Sequence, residues 1–177
     1  MHCFSGFLRL SELANLKRNN VMFYSDHVKL VLEQSKTDAY REGKDVIISI
    51  TDNATCPVHM LRRCLTLAHI EPDSTDFSFR GLTYCKGSNS YMLRKHRQLS
   101  YSTAREVLLS AMQSLGLDTS MFGLDSLRAV GASTAASAGI ADRMLKKNGR
   151  WKTDKAKDGY VKENLESRMS VTKYLGI

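Results

Sequence analysis

Apolar residues recur at helical spacing near the start of the chain and at strand-like spacing soon afterwards. The first pattern predicts one helix from Phe4 to Lys17, because its apolar residues fall three or four positions apart: Phe7, Leu8, Leu10, Leu13 and Leu16. Three segments rich in β-branched residues then predict strands: Val21–Tyr24, Val28–Leu32 and Val46–Ile50. Because a polar stretch, 35–43, separates the last two, we expect a small antiparallel sheet with a loop between those strands.

The rest of the chain is mainly helical in pattern. Pro57 suits the first turn of a helix that runs to about His69, since its missing N–H needs no partner there. The span 71–99 is the least patterned and predicts loops. Ser102 is the expected N-cap of a helix that ends near Gly116, and further helices are predicted over 122–138, 140–148, 152–160 and 162–175. These elements predict an α+β fold, mainly α, in one domain spanning 1–177, with helices around a small antiparallel sheet.

Basic residues are in excess and lie in clusters. Lys and Arg number 26 against 18 Asp and Glu, which gives a net charge of +8. One cluster lies within 94–97 and a second within 143–157, where the only acid is Asp154. Such clusters suit a polyanion, although a solvated basic face would look the same. The candidate DNA contacts are Arg94, Lys95, Arg97, Lys146, Lys147, Arg150 and Lys152.

Other sequence features argue against a metal site and against a membrane location. The four cysteines form no CxxC pair and the five histidines do not pair closely with them, so we expect no zinc site. The longest run of small and apolar residues, 129–141, is too short and too polar to cross a bilayer. The opening residues show no secretory signal. We therefore expect a soluble, intracellular protein that does not bind membranes.

Four motifs follow one another along the chain. "FSGFLRLSELANLK" places Arg9 three residues before a Glu, and "LEQSKTDAYREGKDVII" predicts a β-hairpin whose turn presents Lys36. "FGLDSLRAVGAST" places Arg128 before small residues, and "NGRWKTDKAKDGY" places Trp151 ahead of Tyr160. Each motif alone is weak, but their order and spacing are specific. Together they resemble the catalytic domain of the tyrosine recombinases, the phage-integrase family, over nearly the whole chain from Phe4.

The resemblance implies both a fold and a reaction. It implies the tyrosine-recombinase catalytic fold and cleavage and rejoining of DNA through a 3′-phosphotyrosyl intermediate on Tyr160. Arg9 and Arg128 would clamp the phosphate oxygens, because guanidinium groups stay charged and offer fixed donors. Lys36 would protonate the leaving 5′-oxygen, and the indole N–H of Trp151 would donate to a phosphate oxygen. No metal or cofactor is implied.

The resemblance also implies partners and an origin. Double-stranded DNA would be the substrate, and several copies, as a tetramer, would assemble on it. The wording "GRWKTDKAKDGYVKENLESR" is similar to recombinases derived from eukaryotic transposons, which implies a mobile-element origin and a nuclear location if the source is eukaryotic.

The chain departs from the family pattern at two places. Asp125 stands where the family normally has His, and an ionised carboxylate would repel the phosphate unless it is paired with Arg or held protonated. Arg9 also lies close to the start, so that one or two helices and a DNA-clamping domain of the family would be missing. Two alternatives therefore stay open: a DNA-binding protein of this fold that has lost turnover and, more distantly, a type IB topoisomerase.

Overall fold

The predicted small sheet is confirmed. The structure, a computed structural model, describes residues 2–33, 44–162 and 169, with the backbone alone at positions 44 and 95. Strands β1 (Val21–Phe23), β2 (His27–Leu32) and β3 (Lys44–Ser49) form an antiparallel sheet in that order. Val28 pairs with Ile48 and Leu30 pairs with Val46, so alternate residues of the two strands are buried on one face.

The predicted single helix from Phe4 to Lys17 is wrong. Two short helices, α1 (His2–Ser5) and α2 (Leu10–Ala14), occupy this part of the chain. Between them Phe7 adopts the left-handed backbone conformation, with φ of 48°, and its side chain is buried. The carbonyls of Gly6 and Phe7 accept hydrogen bonds from Arg150 instead of from the next helical turn. These tertiary contacts override the helical spacing of the apolar residues.

The span 71–99, which was predicted to contain loops, also contains an antiparallel hairpin that the sequence did not predict. Helix α3 (Pro57–Leu67) precedes it, as expected, with Pro57 at its first position. Strands β4 (Arg80–Cys85) and β5 (Ser90–Gln98) then pair with each other. Leu82 and Tyr91 in these strands are more than half exposed. A hairpin that buries so few side chains leaves no alternation of apolar and polar residues for the sequence to reveal.

Helices make up the remainder of the described chain, close to the predicted positions. They are α4 (Tyr101–Ser114), α5 (Leu124–Ser137), α6 (Asp142–Gly149) and α7 (Asp154–Asp158). The N-cap of α4 is Ser100, not Ser102, since the Ser100 hydroxyl accepts from the backbone N–H of Thr103 at 3.2 Å. Gly116, with φ of 73°, follows the end of α4 as expected. The predicted tail helix lies outside the described residues except at 162 and 169.

Two hydrophobic clusters meet at the segment that joins α1 to α2. The larger packs the β1–β3 sheet against α2 and α3 and includes Leu8, Leu13, Leu30, Val46, Val58 and Leu61. The smaller contains Phe7, Ala132, Leu145 and Trp151, with Tyr160 packed against it. Helices α1 and α5 approach closely at Gly131, where an added Cβ would lie 2.3 Å from the carbonyl oxygen of Phe4. None of the helices within the described residues is long and apolar enough to cross a membrane.

Candidate active site

A buried carboxylate organises the arginines at the start of α2. The Glu12 side chain is 2% exposed, and its Oε2 accepts the backbone N–H of Arg9 at 2.7 Å. The Arg9 guanidinium lies 3.6 Å from Oε1 of the same carboxylate, and Oε2 also accepts from Arg150 at 2.7 Å. Arg9 is the N-cap residue of α2, and Glu12 is the third residue of the helix. In the first helical turn the side chain at that position can reach back to the backbone N–H of the N-cap residue. One carboxylate therefore holds the main chain and the side chain of Arg9.

Arg128 reaches the same carboxylate from α5. Its guanidinium is 1% exposed, lies 3.8 Å from Glu12 Oε2 and donates to the carbonyl of Gly149 at 2.6 Å. Burial and, after it, the nearby positive charge of Arg9 lower the pKa of Arg128 to about 10, while Glu12 opposes the shift. The group is thus still charged at neutral pH. Three guanidiniums and one carboxylate give this cluster two net positive charges.

Two aromatic rings cover Arg128. The Arg128 guanidinium carbon lies 5.1 Å from the ring centre of Trp151 and 4.9 Å from that of Tyr160, distances typical of cation–π contacts. The two rings also contact each other, with centroids 5.4 Å apart. Gly149 makes room for the indole, since an added Cβ would lie 2.1 Å from ring atoms of Trp151. The ring of Phe7 also stacks with that of Trp151, with centroids 6.0 Å apart.

The backbone on both sides of Val161 is tied to α5 by one hydroxyl. Ser133 Oγ donates to the carbonyl of Tyr160 at 3.2 Å and accepts from the N–H of Lys162 at 2.8 Å. Helix α7 begins at Thr153, whose hydroxyl caps it, and its buried Lys157 is ion-paired with Asp142 of α6. These contacts fix where the chain enters and leaves the Tyr160 position.

An open cleft of about 700 Å³ lies beside this cluster. Residues of α2, α4, α5, the end of β5 and the segment after α7 line it, among them Arg9, Ser11, Asn15, Tyr101, Asp125 and Tyr160. Asp125 is exposed in the first turn of α5, and no ion pair with it occurs among the described residues. A phosphodiester in this cleft would therefore meet Arg9, the Tyr160 side chain and an unpaired carboxylate together.

Several buried donors of the cluster have no hydrogen-bond partner within the described chain. They include Nε and Nη1 of Arg128 and Nε1 of Trp151. Buried polar atoms without partners are uncommon, so such a set indicates donors available to a ligand. No group of His, Cys, Asp or Glu in the described part of the chain is arranged to hold a metal ion.

The structure describes five of the six catalytic residues that the sequence predicts. Arg9, Asp125, Arg128, Trp151 and Tyr160 come together, although up to 151 positions separate them. Lys36 lies outside the described residues.

The candidate DNA contacts differ in exposure. Arg94, Arg97, Lys147 and Lys152 are exposed, whereas Lys146 is half-buried and paired with Asp154 at 3.1 Å. Only the backbone of Lys95 is described. The prediction that Arg150 contacts DNA is wrong, because its side chain is 3% exposed and bonded within the protein.

Sequence reasoning missed the residues that support the cluster. Ser133, Gly149 and Arg150 matter through contacts made across 21 to 144 positions of sequence. The spacing of Arg9 and Glu12 hinted at their pairing, but the same spacing occurs on ordinary helix surfaces. Nothing in the sequence distinguishes the buried Arg150 from its exposed basic neighbours.

The chain is similar to known recombinases in sequence and in fold. It is 26% identical over 173 residues, 94% of its length, to an integrase/recombinase XerD homolog of Selenomonas ruminantium. Among solved structures, XerH site-specific recombinase bound to palindromic difH substrate matches 99% of the chain with a TM-score of 0.71 and 14% identity. XerA recombinase matches 97% with a TM-score of 0.69 and 18% identity. No model of a known protein family matches the chain.

The chain spans about half the length of these proteins: 48% of the XerD homolog, 44% of XerH and 53% of XerA. The structural likeness shows that the chain has the tyrosine recombinase catalytic fold. The sequence similarity supports the tyrosine recombinase family, and the expectation of a eukaryotic, transposon-derived type remains a prediction.

Proposed function

We propose, from the tyrosine recombinase fold of this chain, that it is the catalytic part of an enzyme that cleaves and rejoins DNA at specific sites. One observation carries the proposal: the Tyr160 ring lies on the guanidinium of Arg128, beside Arg9, at the wall of an open cleft. A phenol, two guanidiniums and an indole N–H are the groups that attack on a phosphodiester requires.

In the proposed reaction, a bond from phosphorus to Tyr160 replaces the bond from phosphorus to the 5′-oxygen of the DNA. The Tyr160 oxygen attacks the phosphorus and gives its proton to solvent water in the open cleft, a P–O(Tyr) bond forms, and the bond from phosphorus to the 5′-oxygen breaks. The 5′-oxygen leaves with a proton, for which Lys36 is the proposed donor. Attack of a 5′-hydroxyl on the phosphotyrosine then reverses these changes and rejoins the strand. No metal or cofactor takes part in the proposed steps.

The charge of the arginine cluster matches the charge that develops during attack. A phosphodiester carries one negative charge, and its five-coordinate transition state carries close to two. The two net positive charges of the Glu12 cluster would stabilise that added charge, because preorganised charge of this kind needs little rearrangement during the reaction. Arg9 and Arg128 would supply the direct contacts to the oxygens.

Tyr160 has to move when DNA enters the cleft. Its ring covers the guanidinium of Arg128, whose Nη1 is buried without a hydrogen-bond partner among the described residues. A phosphate can reach Arg128 only if the ring swings aside, which also frees the Tyr160 hydroxyl for attack. The hydrogen bonds of Ser133 to the backbone around Val161 would hold the main chain in place while the Tyr160 ring moves.

A second function is favoured by Asp125. This carboxylate lies exposed in the cleft without an ion pair in the described chain, so it would oppose a phosphate at the site. A protein that binds DNA through this fold without cleaving it is the resulting alternative.

A type IB topoisomerase would share the covalent step but would rejoin only the original ends.

The exposed basic residues extend the proposed DNA surface beyond the cleft. Arg94 and Arg97 lie on β5, whose end at Gln98 lines the cleft, and Lys147 and Lys152 lie near Trp151. Residues 80–98 contain no Asp or Glu, so the hairpin attracts phosphates along its length. The proposed DNA contacts also include Lys95 and Lys146. We further propose that the protein assembles as a tetramer on DNA and that it derives from a eukaryotic transposon.

A nicked suicide substrate tests the proposed cleavage. A pool of duplexes with randomised sequence carries a nick just 3′ of the scissile position, so that the short released strand diffuses away and the covalent adduct accumulates. We expect a protein–DNA adduct with the natural chain and with Tyr101→Phe, a control in the same cleft, but not with Tyr160→Phe. DNA binding by the natural chain without any adduct would contradict cleavage and favour the binding protein.

Rejoining needs a second arm of the same experiment. The adduct is offered a 5′-hydroxyl strand from a different duplex. Joining to the new strand supports a recombinase, whereas joining to the original strand alone would favour a topoisomerase.

A further inference from the structure

Arg150 combines two features that are unusual for an arginine. Its φ of 57° lies in the left-handed region, where glycine is favoured because a Cβ crowds the backbone. Its side chain is also almost wholly buried. A residue held in an unfavourable backbone conformation, when glycine would fit without strain, is retained for what its side chain does.

The Arg150 guanidinium joins two distant parts of the chain. It donates to the carbonyls of Gly6 at 3.2 Å and Phe7 at 2.9 Å, which the break between α1 and α2 leaves open. It also donates to Glu12 Oε2 at 2.7 Å and to the carbonyl of Asn148 at 2.7 Å. The next residue is Trp151. One side chain thus connects the loop before Arg9 with the segment that carries the indole.

Arg150 makes the shortest side-chain contact to Glu12 within the described chain. The Arg9 and Arg128 guanidiniums lie farther from the carboxylate, at 3.6 and 3.8 Å, which is beyond hydrogen-bond length. Neither group is therefore bound to Glu12 by a hydrogen bond. Arg9 can turn toward a phosphate in the cleft, and Arg128 keeps Nε and Nη1 without a hydrogen-bond partner among the described residues, while Glu12 itself is held by Arg150. A direct phosphate contact by Arg150 is excluded because its side chain is almost wholly buried and its two terminal nitrogens face protein carbonyls and Glu12.

We infer that Arg150 is a positioning residue, which holds Glu12 and the loop of Gly6 and Phe7 so that Arg9 and Arg128 face the scissile phosphate together. The inference rests on the proposed function. It separates Arg150 from the exposed basic residues, since Arg150 acts on the rate of cleavage through geometry and not on DNA affinity through charge at the surface.

The inference can be tested by removing the Arg150 side chain and then adding free guanidinium ion to the variant. Arg150→Gly removes the guanidinium and relieves the backbone, so the variant is expected to fold, as circular dichroism would verify. Its rate of adduct formation at saturating DNA should fall about 10²-fold, the size of a small misplacement of catalytic groups, while DNA affinity stays within about two-fold. Guanidinium chloride at about 20 mM, far below the molar range that unfolds proteins, should restore part of the rate.

Controls distinguish positioning from charge and from fold. Sodium chloride at the same ionic strength should not restore the rate, because DNA binding is weakened by any salt. Arg150→Lys keeps the charge but loses the forked donors, so its rate should lie between those of Arg150→Gly and the natural chain. His69→Gly, at a residue that is also left-handed, with φ of 50°, but exposed, should leave the rate unchanged and show no guanidinium response.

Fluorescence gives a readout that does not depend on cleavage. Trp151 is the only tryptophan and follows Arg150 directly, so its emission reports on this site. Guanidinium should shift the Trp151 emission of Arg150→Gly and leave that of the natural chain and of His69→Gly unchanged. If the natural chain forms no adduct, the proposed function fails, yet this shift still tests whether the ion refills the Arg150 site.

Three results would overturn the inference: an unchanged rate in Arg150→Gly, a loss of DNA affinity as large as the loss of rate, or no fluorescence response to guanidinium. An Arg150→Gly chain that does not fold would leave Arg150→Lys to decide. A folded Arg150→Lys with the natural rate would contradict positioning by the guanidinium fork.

Discussion

Two groups of arginines in this chain illustrate how burial decides what a positive charge does. Around Glu12, Arg128 and Arg150 are almost completely buried and held by named acceptors. On the β4–β5 hairpin, Arg94 and Arg97 are exposed, and Arg94 donates to Thr83 of the partner strand. The sequence grouped Arg150 with the exposed basic residues as a DNA contact, whereas in the structure it lies with Arg128 at Glu12.

The two groups of arginines act differently because solvent screens the exposed charges and not the buried ones. Exposed charges are screened, so each hairpin arginine adds a small, replaceable share of attraction for phosphates. Buried charges are strong but need compensation, so their effect depends on geometry and on the carboxylate between them. We therefore expect changes near Glu12 to alter stability and rate, and changes on the hairpin to alter affinity.

Glu12→Gln should have the largest effect. It removes the carboxylate that three guanidiniums share, and an uncompensated buried charge destabilises a protein by about 3–5 kcal/mol. Urea unfolding followed by circular dichroism measures the loss. Glu106→Gln, on the exposed face of α4, is the matched control and should change stability by less than about 0.5 kcal/mol. Equal stability of the two variants would contradict the central role of Glu12.

Asp125→His should change the rate in the opposite direction. It replaces an unpaired carboxylate in the cleft by a group that can donate to the phosphate, and one well-placed donor is worth about 10²–10³ in rate. Adduct formation in single-turnover assays should accelerate accordingly. Asp125→Asn removes only the charge and should recover part of the gain. If neither variant is faster, repulsion by Asp125 does not limit the reaction.

Gly149→Ala should have a smaller effect on the buried region. The added Cβ would lie 2.1 Å from the indole of Trp151, so the ring or helix α6 has to shift, at about 1–3 kcal/mol of stability. Trp151 emission and urea unfolding would both report the shift. Gly87→Ala, in the hairpin turn, has nothing within 4 Å of the added Cβ and is the control. A stable Gly149→Ala with natural emission would show that the close packing is not required.

The smallest effect should come from the hairpin. Arg94→Ala combined with Arg97→Ala should weaken DNA binding several-fold and reduce the slope of log affinity against log salt by about 2, because two phosphate contacts are lost. Titrations at several salt concentrations measure both quantities. The difference from the natural chain should vanish at high salt. An unchanged slope would remove the hairpin from the proposed DNA surface.

Sequence reasoning recovered those parts of the molecule that leave a local pattern. The β1–β3 sheet alternates buried and exposed residues, and α5 to α7 have helical spacing, so their positions were predicted closely. The hairpin buries too little to leave a pattern. The break at Phe7 depends on Arg150, which lies over 140 positions away, and a contact of that separation leaves no periodic signal.

The candidate site shows the same division. Arg9, Arg128, Trp151 and Tyr160 were singled out because their motifs resemble a known family, and the structure brings them together. Composition or periodicity alone would not have chosen them. Arg150 was assigned to the DNA surface because a basic run looks exposed in sequence, and only the tertiary structure shows that it is buried.

The central claim is that Tyr160 forms the covalent bond to DNA, and the most direct measurement locates that bond. After reaction with the nicked substrate and nuclease trimming, the adduct is digested with trypsin and analysed by mass spectrometry. Cleavage after Lys157 and Lys162 releases a peptide whose only tyrosine is Tyr160. We predict that this peptide carries the nucleotide mass. The nucleotide on the peptide that contains Tyr101, the other tyrosine of the cleft, or on no tyrosine peptide at all, would contradict the account.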